Sequence, residues 1–146
     1  MSRWLEFSPA ELRRETGVNE DYPAAALRHL QDAEALAQTG RFDNAGHLIG
    51  FAAECAAKAA WRRHFPDEKI KFIHFPELRD IIRKKFNGLK DTALRAFVLS
   101  HPDLLPGWEI DLRYAPEGTV DPDTVALWHQ QTRRLMHAAG LKRETP

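Results

Sequence analysis

Between Arg41 and His64 the chain reads RFDNAGHLIGFAAECAAKAAWRRH, a segment with helical periodicity whose inward stripe is built mainly from alanine. The predicted seam is Ala45, Leu48, Ile49, Ala52, Ala56 and Ala59. Side chains this small let a second helix come closer than a leucine seam would, so the segment belongs at the centre of a packed helical assembly. Gly46 and Gly50 add a GxxxG spacing. Each glycine costs about 1 kcal/mol of helix propensity relative to alanine, and close packing or helix dimerisation is the physical motive for accepting that cost. Polar residues lie along or beside the same stripe: Asn44, His47, Glu54 and Lys58. His47, Phe51, Glu54 and Lys58 recur at intervals of four, three and four, which places them on one face, bordering either an inner cleft or a dimer interface. Glu54 precedes Lys58 by four residues, the favourable order for a helical pair, and on an open surface such a pair contributes only a few tenths of a kcal/mol.

The flanking sequence predicts further helices and no strands. One begins near Tyr22, with Asp21 and Pro23 at its start, carries Leu27, Leu30, Ala33 and Ala37 inward, and stops at Gly40. The alanine-rich helix runs from about Asp43 to Arg63, capped by Asp43 or Asn44. A third, from Phe75 or Pro76 to about Phe86, carries Leu78, Ile81, Ile82 and Phe86, with His74 as a candidate cap. A fourth, from Leu89 to Ser100, carries Leu94, Phe97 and Val98. Prolines at 102, 106 and 116 and glycines at 107 and 118 make 101–120 irregular, with at most a helical turn between Trp108 and Tyr114. A last helix opens at Asp121-Pro122-Asp123 and runs to Gly140, with Val125, Trp128, Leu135 and Ala139 inward. The expected fold is all-α: an antiparallel up-and-down bundle of four to five main helices over 21–141, preceded by a docked segment over 1–20 and followed by a tail over 142–146.

The chain has 146 residues, enough for one domain with a real core. Lys plus Arg and Asp plus Glu number 21 each, so there is no overall basic field to draw it onto nucleic acid. The local clusters Arg62–Arg63–His64, Arg79–Arg83–Lys84–Lys85 and Arg133–Arg134 read as solvated helix faces. No apolar run approaches the roughly 18 residues of a membrane span, and the N-terminus lacks the apolar core of a secretory signal, so the cytoplasm is the expected location. Cys55 is the single cysteine, set among alanines as a small hydrophobe.

Recognised chemical motifs are few. The seven histidines include no HxxxH or HExxH pair, and neither a phosphate loop nor a nucleophile elbow occurs, so no metal site and no cofactor is predicted. The remaining candidate is Glu109, Asp111, Arg113 and Tyr114, in the irregular stretch. The guanidinium of Arg113 suits a carboxylate or a phosphate. One outcome is a bridge from Arg113 to Glu109 or Glu54 that pins the loop to the bundle, and the other is ligand binding.

At these residues the chain resembles the HEPN superfamily. The resemblance covers about Tyr22 to Leu141 and is carried by NAGHLIGFAAECAAKA, by HFPEL, and by RYAPEG followed by a final helix, as in uncharacterised bacterial HEPN-like proteins. It implies a helical bundle that pairs as a homodimer; active members are metal-independent ribonucleases of toxin or defence systems. Their motif is an arginine followed four to six residues later by histidine, often with an acidic or polar residue four positions before the arginine. Glu109 and Arg113 match, but Tyr114 to Val120 reads YAPEGTV, without the histidine. RNA cleavage needs a group of near-neutral pKa to move a proton, which arginine cannot do. The resemblance therefore implies a non-catalytic interaction or regulatory protein, with a nucleotide or RNA-binding module, or a ribonuclease that borrows His47 or His74, as the alternatives.

Overall fold

The computed structural model describes residues 20–69 and 72–141. The docked segment expected over 1–20 and the tail expected over 142–146 lie outside those residues, Glu20 excepted. Among the described residues, five α-helices and a 3-10 turn account for the regular structure: α1 (Tyr22–Gln38), α2 (Phe42–His64), α3 (Glu77–Asn87), α4 (Thr92–Ser100), the turn Ile110–Tyr114 and α5 (Pro122–Ala138). The described residues are all-α and contain no strand, and none of their helices is long and apolar enough to cross a membrane.

Local chemistry explains most of the helix ends. The Asp21 carboxylate accepts from Ala24 N at 3.0 Å, and the Asp121 carboxylate accepts from Thr124 N at 2.7 Å, each beside a proline in the first turn. Gly40 and Gly140, both at φ +78°, supply the left-handed residue that lets the chain leave α1 and α5. Asp91 accepts from Ala93 N and Leu94 N at 3.1 and 3.2 Å, so α4 begins at Thr92 and not at Leu89.

Two expected caps are used elsewhere. Arg41 occupies the N-cap position of α2 without a side-chain bond. Asp43 reaches across the molecule and accepts from Gly118 N and Val120 N, both at 2.9 Å, tying the approach to α5 onto the start of α2. Asn44 is exposed. At the start of α3 the cap position is Pro76, with no side-chain bond, because His74 turns back towards α2.

The alanine seam is the core. Ala45, Ala52, Ala53, Ala56, Ala57 and Ala60 are all essentially inaccessible, while Leu48 and Ala59 of the predicted seam are only half-buried. The most extensive partner of α2 is α1, which follows from a tight turn and presents Ala26, Leu30 and Ala33; α5 comes next. α1 runs antiparallel to α2, since the Tyr22 ring lies beside Arg62 (4.7 Å) and α1 ends where α2 begins. α5 runs in the same sense as α2: Asp43 holds the chain entering α5, and Arg63 at the other end donates to Ala139 O at 2.9 Å. α3 and α4 form a second hairpin.

Gly46 and Gly50 seat indole rings of the same chain, Trp128 of α5 over Gly46 and Trp108 of the irregular stretch over Gly50. A Cβ on Gly50 would lie 1.9 Å from Trp108 Cε2, and one on Gly46 would lie 3.0 Å from Trp128. Trp108 Nε1 donates to Gly46 O at 3.1 Å, and Trp128 Nε1 to Pro106 O at 2.9 Å. The glycine face is therefore covered within the chain and offers nothing to a dimer.

Stretch 101–120 is irregular yet anchored, with Leu104, Leu105 and Trp108 fully buried. Arg79 of α3 holds it, Nε donating to Leu104 O at 2.6 Å and Nη2 to Leu105 O at 2.9 Å, where Leu105 adopts φ 53°. Gln131 of α5 accepts from Leu105 N at 2.8 Å. Arg79→Ala is expected to lower stability by about 2 kcal/mol, because two carbonyls lose a charged donor, as a shift of the urea midpoint will show.

Candidate functional site

The polar face of α2 is internal. Glu54 and Lys58 are 8% and 5% exposed, and Lys58 Nζ donates to Glu54 Oε2 at 3.0 Å. The other oxygen, Oε1, takes His74 Nδ1 at 2.5 Å. An exposed i,i+4 pair is thus excluded, and one carboxylate holds an ammonium and an imidazole. His74 keeps its outer edge in solvent, its side chain being 44% exposed.

Next to this triad, rings gather around Phe51. His47 meets it edge-on at 4.8 Å, His29 lies at 5.8 Å, Trp108 at 5.7 Å and His74 at 6.4 Å between centroids. His47 also stacks on Trp108, 5.4 Å away and 18° from parallel. Of these, His29 and Trp108 are absent from the sequence-based site. His29 precedes the seam residue Leu30, and only the α1–α2 crossing brings it to Phe51; Trp108 had a signal, a large aromatic beside the Glu109–Arg113 stretch.

Burial, reinforced by the charge of Arg28, holds the His29 pKa below its ordinary value; burial, then the charge of Arg113, does the same for His47. His47 Nδ1 is buried without a hydrogen-bond partner among the described residues. Burial, with the Glu54 charge next, pushes the Cys55 thiol up to about 11, so this cysteine is the inert hydrophobe its alanine setting predicts.

Arg113 does not form the bridge anticipated for it. Among the described residues it pairs with no carboxylate; it is exposed and lies over the ring of Tyr114, 4.8 Å from the centroid, and Tyr114 is 73% exposed. The reason is the turn. Ile110–Tyr114 is 3-10, with about three residues per turn, so positions four apart no longer share a face. Glu109 precedes that turn in an extended conformation, and Glu54 is already committed to Lys58 and His74. Since the guanidinium is exposed and without a carboxylate partner, Arg113→Ala should change stability by no more than about 0.5 kcal/mol. A denaturation midpoint that moves further would reveal a structural role.

The structure therefore brings His47, Glu54, Lys58 and His74 together, with Arg113 and Tyr114 close enough for the Arg113 charge to act on His47. Glu109 is exposed, outside this cluster, and Asn44 lines a hollow of about 560 Å³ between the starts of α2 and α5 whose walls include none of the histidines. No group of three His, Cys, Asp or Glu among the described residues is arranged to hold a metal ion.

The depressed groups set a pH profile. Histidines whose folded pKa lies below 6.5 bind protons more readily in the unfolded chain, so His29 and His47 stabilise the fold fully above 6.5 and lose that contribution as pH falls through the folded value. Asp43, chiefly through its bonds to Gly118 and Val120 N–H, and Asp121, chiefly through Thr124 N–H, are also depressed. Their contribution disappears below 3.8, giving a second, more acidic step. Melting temperatures across this range should show both steps, and His47→Phe should flatten the upper one.

Comparison with family models, curated proteins and solved structures found no match for this chain.

Proposed function

We propose that this protein is a HEPN-like, homodimeric bundle of a bacterial cytoplasm that works by binding, with a nucleotide or RNA phosphate as its ligand at Arg113. The observation that carries this reading is the state of Arg113: an exposed guanidinium stacked on an exposed tyrosine, without a carboxylate partner among the described residues, in the electrostatic reach of His47. A structural arginine would be paired. Arg113 supplies forked donors for phosphate oxygens, and Tyr114 supplies a π-face of the kind on which bases stack. With equal numbers of acidic and basic side chains, binding would be focused at this point and not spread along a backbone. The HEPN resemblance adds a regulatory or interaction role, with a protein partner in a mobile-element, toxin-antitoxin or defence system.

Titration calorimetry with a nucleoside monophosphate and with short single-stranded RNA tests this. Arg113→Ala should weaken binding by about tenfold or more, the worth of a charge-assisted hydrogen bond, with the fold intact. Equal affinity in the variant would reject the site. A ribonuclease reading draws on His47, whose depressed pKa keeps a neutral imidazole, a proton acceptor, near Arg113 at neutral pH. RNA should nevertheless survive incubation with the protein; cleavage lost in both Arg113→Ala and His47→Ala would establish that second reading instead.

A further inference from the structure

Several surface cations of this bundle have matched anions: Arg41 with Glu117, Arg62 with Glu20, Arg63 with Asp91, Arg83 with Asp80, and Lys85 with Glu68. Among the described residues, the outer face of α5 carries unpaired charges of both signs, one sign at each end. Arg133 and Arg134 are exposed beside a shallow hollow of about 450 Å³, and neither has an ion pair among the described residues. At the other end of the same helix Asp123 is exposed and equally without one. Between them the surface consists of Ala126, Leu127 and Gln130, with Leu127 42% exposed.

The spacing makes this face complementary to itself. Asp123 and Arg133 are ten residues apart, about 15 Å along the helix axis, and lie on opposite sides of the level of Trp128. A second copy related by a two-fold axis at that level lays its α5 antiparallel to the first, setting Asp123 of each chain against Arg133 and Arg134 of the other. Ala126 and Leu127 then meet near the axis, where small and apolar residues permit close approach. Such an isologous arrangement uses both ends of the face twice. A nucleic-acid backbone would suit only the basic end, because the Asp123 carboxylate repels phosphate at the other.

From this juxtaposition we infer that the exposed face of α5, Asp123 to Arg134, is the surface through which two copies of the chain associate. The inference rests on the dimer reading above and assigns its interface. It makes no use of Arg113, so ligand binding and assembly are separable.

Sedimentation equilibrium of the full chain at micromolar concentration provides the test, with two variants of opposite sign, Asp123→Lys and Arg133→Glu/Arg134→Glu. The wild type should sediment as a dimer. Each variant alone should dissociate, its dimerisation weakened about a hundredfold by like charges facing each other at both ends. Mixing the two should restore a dimer, because lysine at 123 in one chain then meets glutamates in the other, while the native arginines of the first meet the native Asp123 of the second. Recovery on mixing also shows that both variants are folded, and circular dichroism checks this for each alone. A wild type that sediments as a monomer overturns the interface and the dimer reading together. A wild-type dimer that both variants retain overturns the interface alone, as does a mixture that stays monomeric although its components are folded.

Discussion

Gly50→Ala should be among the most destabilising single-methyl additions in this protein, at about 3 kcal/mol. The added Cβ would sit 1.9 Å from Trp108 Cε2 and 2.2 Å from its Nε1, which no rotamer adjustment of a methyl group relieves. The indole must leave its seat, and with it go the bond to Gly46 O and the stacking on His47. Gly46→Ala is the internal control. Its Cβ meets Trp128 and Val120 at 3.0 Å, a tight contact offset by a gain of about 1 kcal/mol in helix propensity, so its net effect should stay within about 1 kcal/mol. Urea midpoints of the two variants, read by far-ultraviolet circular dichroism, decide the matter. Equal midpoints would mean that Trp108 does not occupy the notch above Gly50.

The second large effect is expected at Glu54. Replacing it with alanine leaves the Lys58 ammonium, 5% exposed, without its counter-charge and frees His74 from its anchor. Breaking a buried pair from one side typically costs about 3–5 kcal/mol, because the surviving charge cannot recover its hydration. Glu54→Leu combined with Lys58→Met should cost far less, about 1 kcal/mol or under, since both charges go and their volume is filled. His74 tolerates the loss because its outer edge is in solvent. A double variant as unstable as the single one would show that the pair contributes net stability of its own. A single variant as stable as the wild type would show that Lys58 escapes to water.

These two predictions separate what a linear reading supplies from what it does not. The helices, the alanine core and the caps Asp21 and Asp121 are legible because each is encoded within a few residues: a period of 3.6, a carboxylate before a proline, a glycine at the stop. The cluster of Glu54, Lys58, His47 and Phe51 is legible as a shared face for the same reason, although its depth is not. Burial depends on what covers the face, and a helix carries no record of its neighbours.

The assignments that changed all involve residues distant in sequence. Asp43, a plausible cap by its neighbours, accepts from an amide 77 positions away. His74, placed at a helix start, spends its nitrogen on a carboxylate 20 positions back. Loop pinning, expected of Arg113, falls to Arg79, and Arg113 is left to solvent because a 3-10 turn rotates it away from Glu109. The glycine pair announced a close approach, and only the return of the chain 62 residues later reveals an indole as the visitor. By itself, then, the sequence determined an all-helical bundle centred on residues 41 to 64, because backbone periodicity and capping are local interactions. The tertiary structure alone decided which polar groups are buried together and that Arg113 meets no carboxylate among the described residues, because hydrogen bonds and ion pairs are allotted by proximity in space, where residues from different helices compete for the same partner.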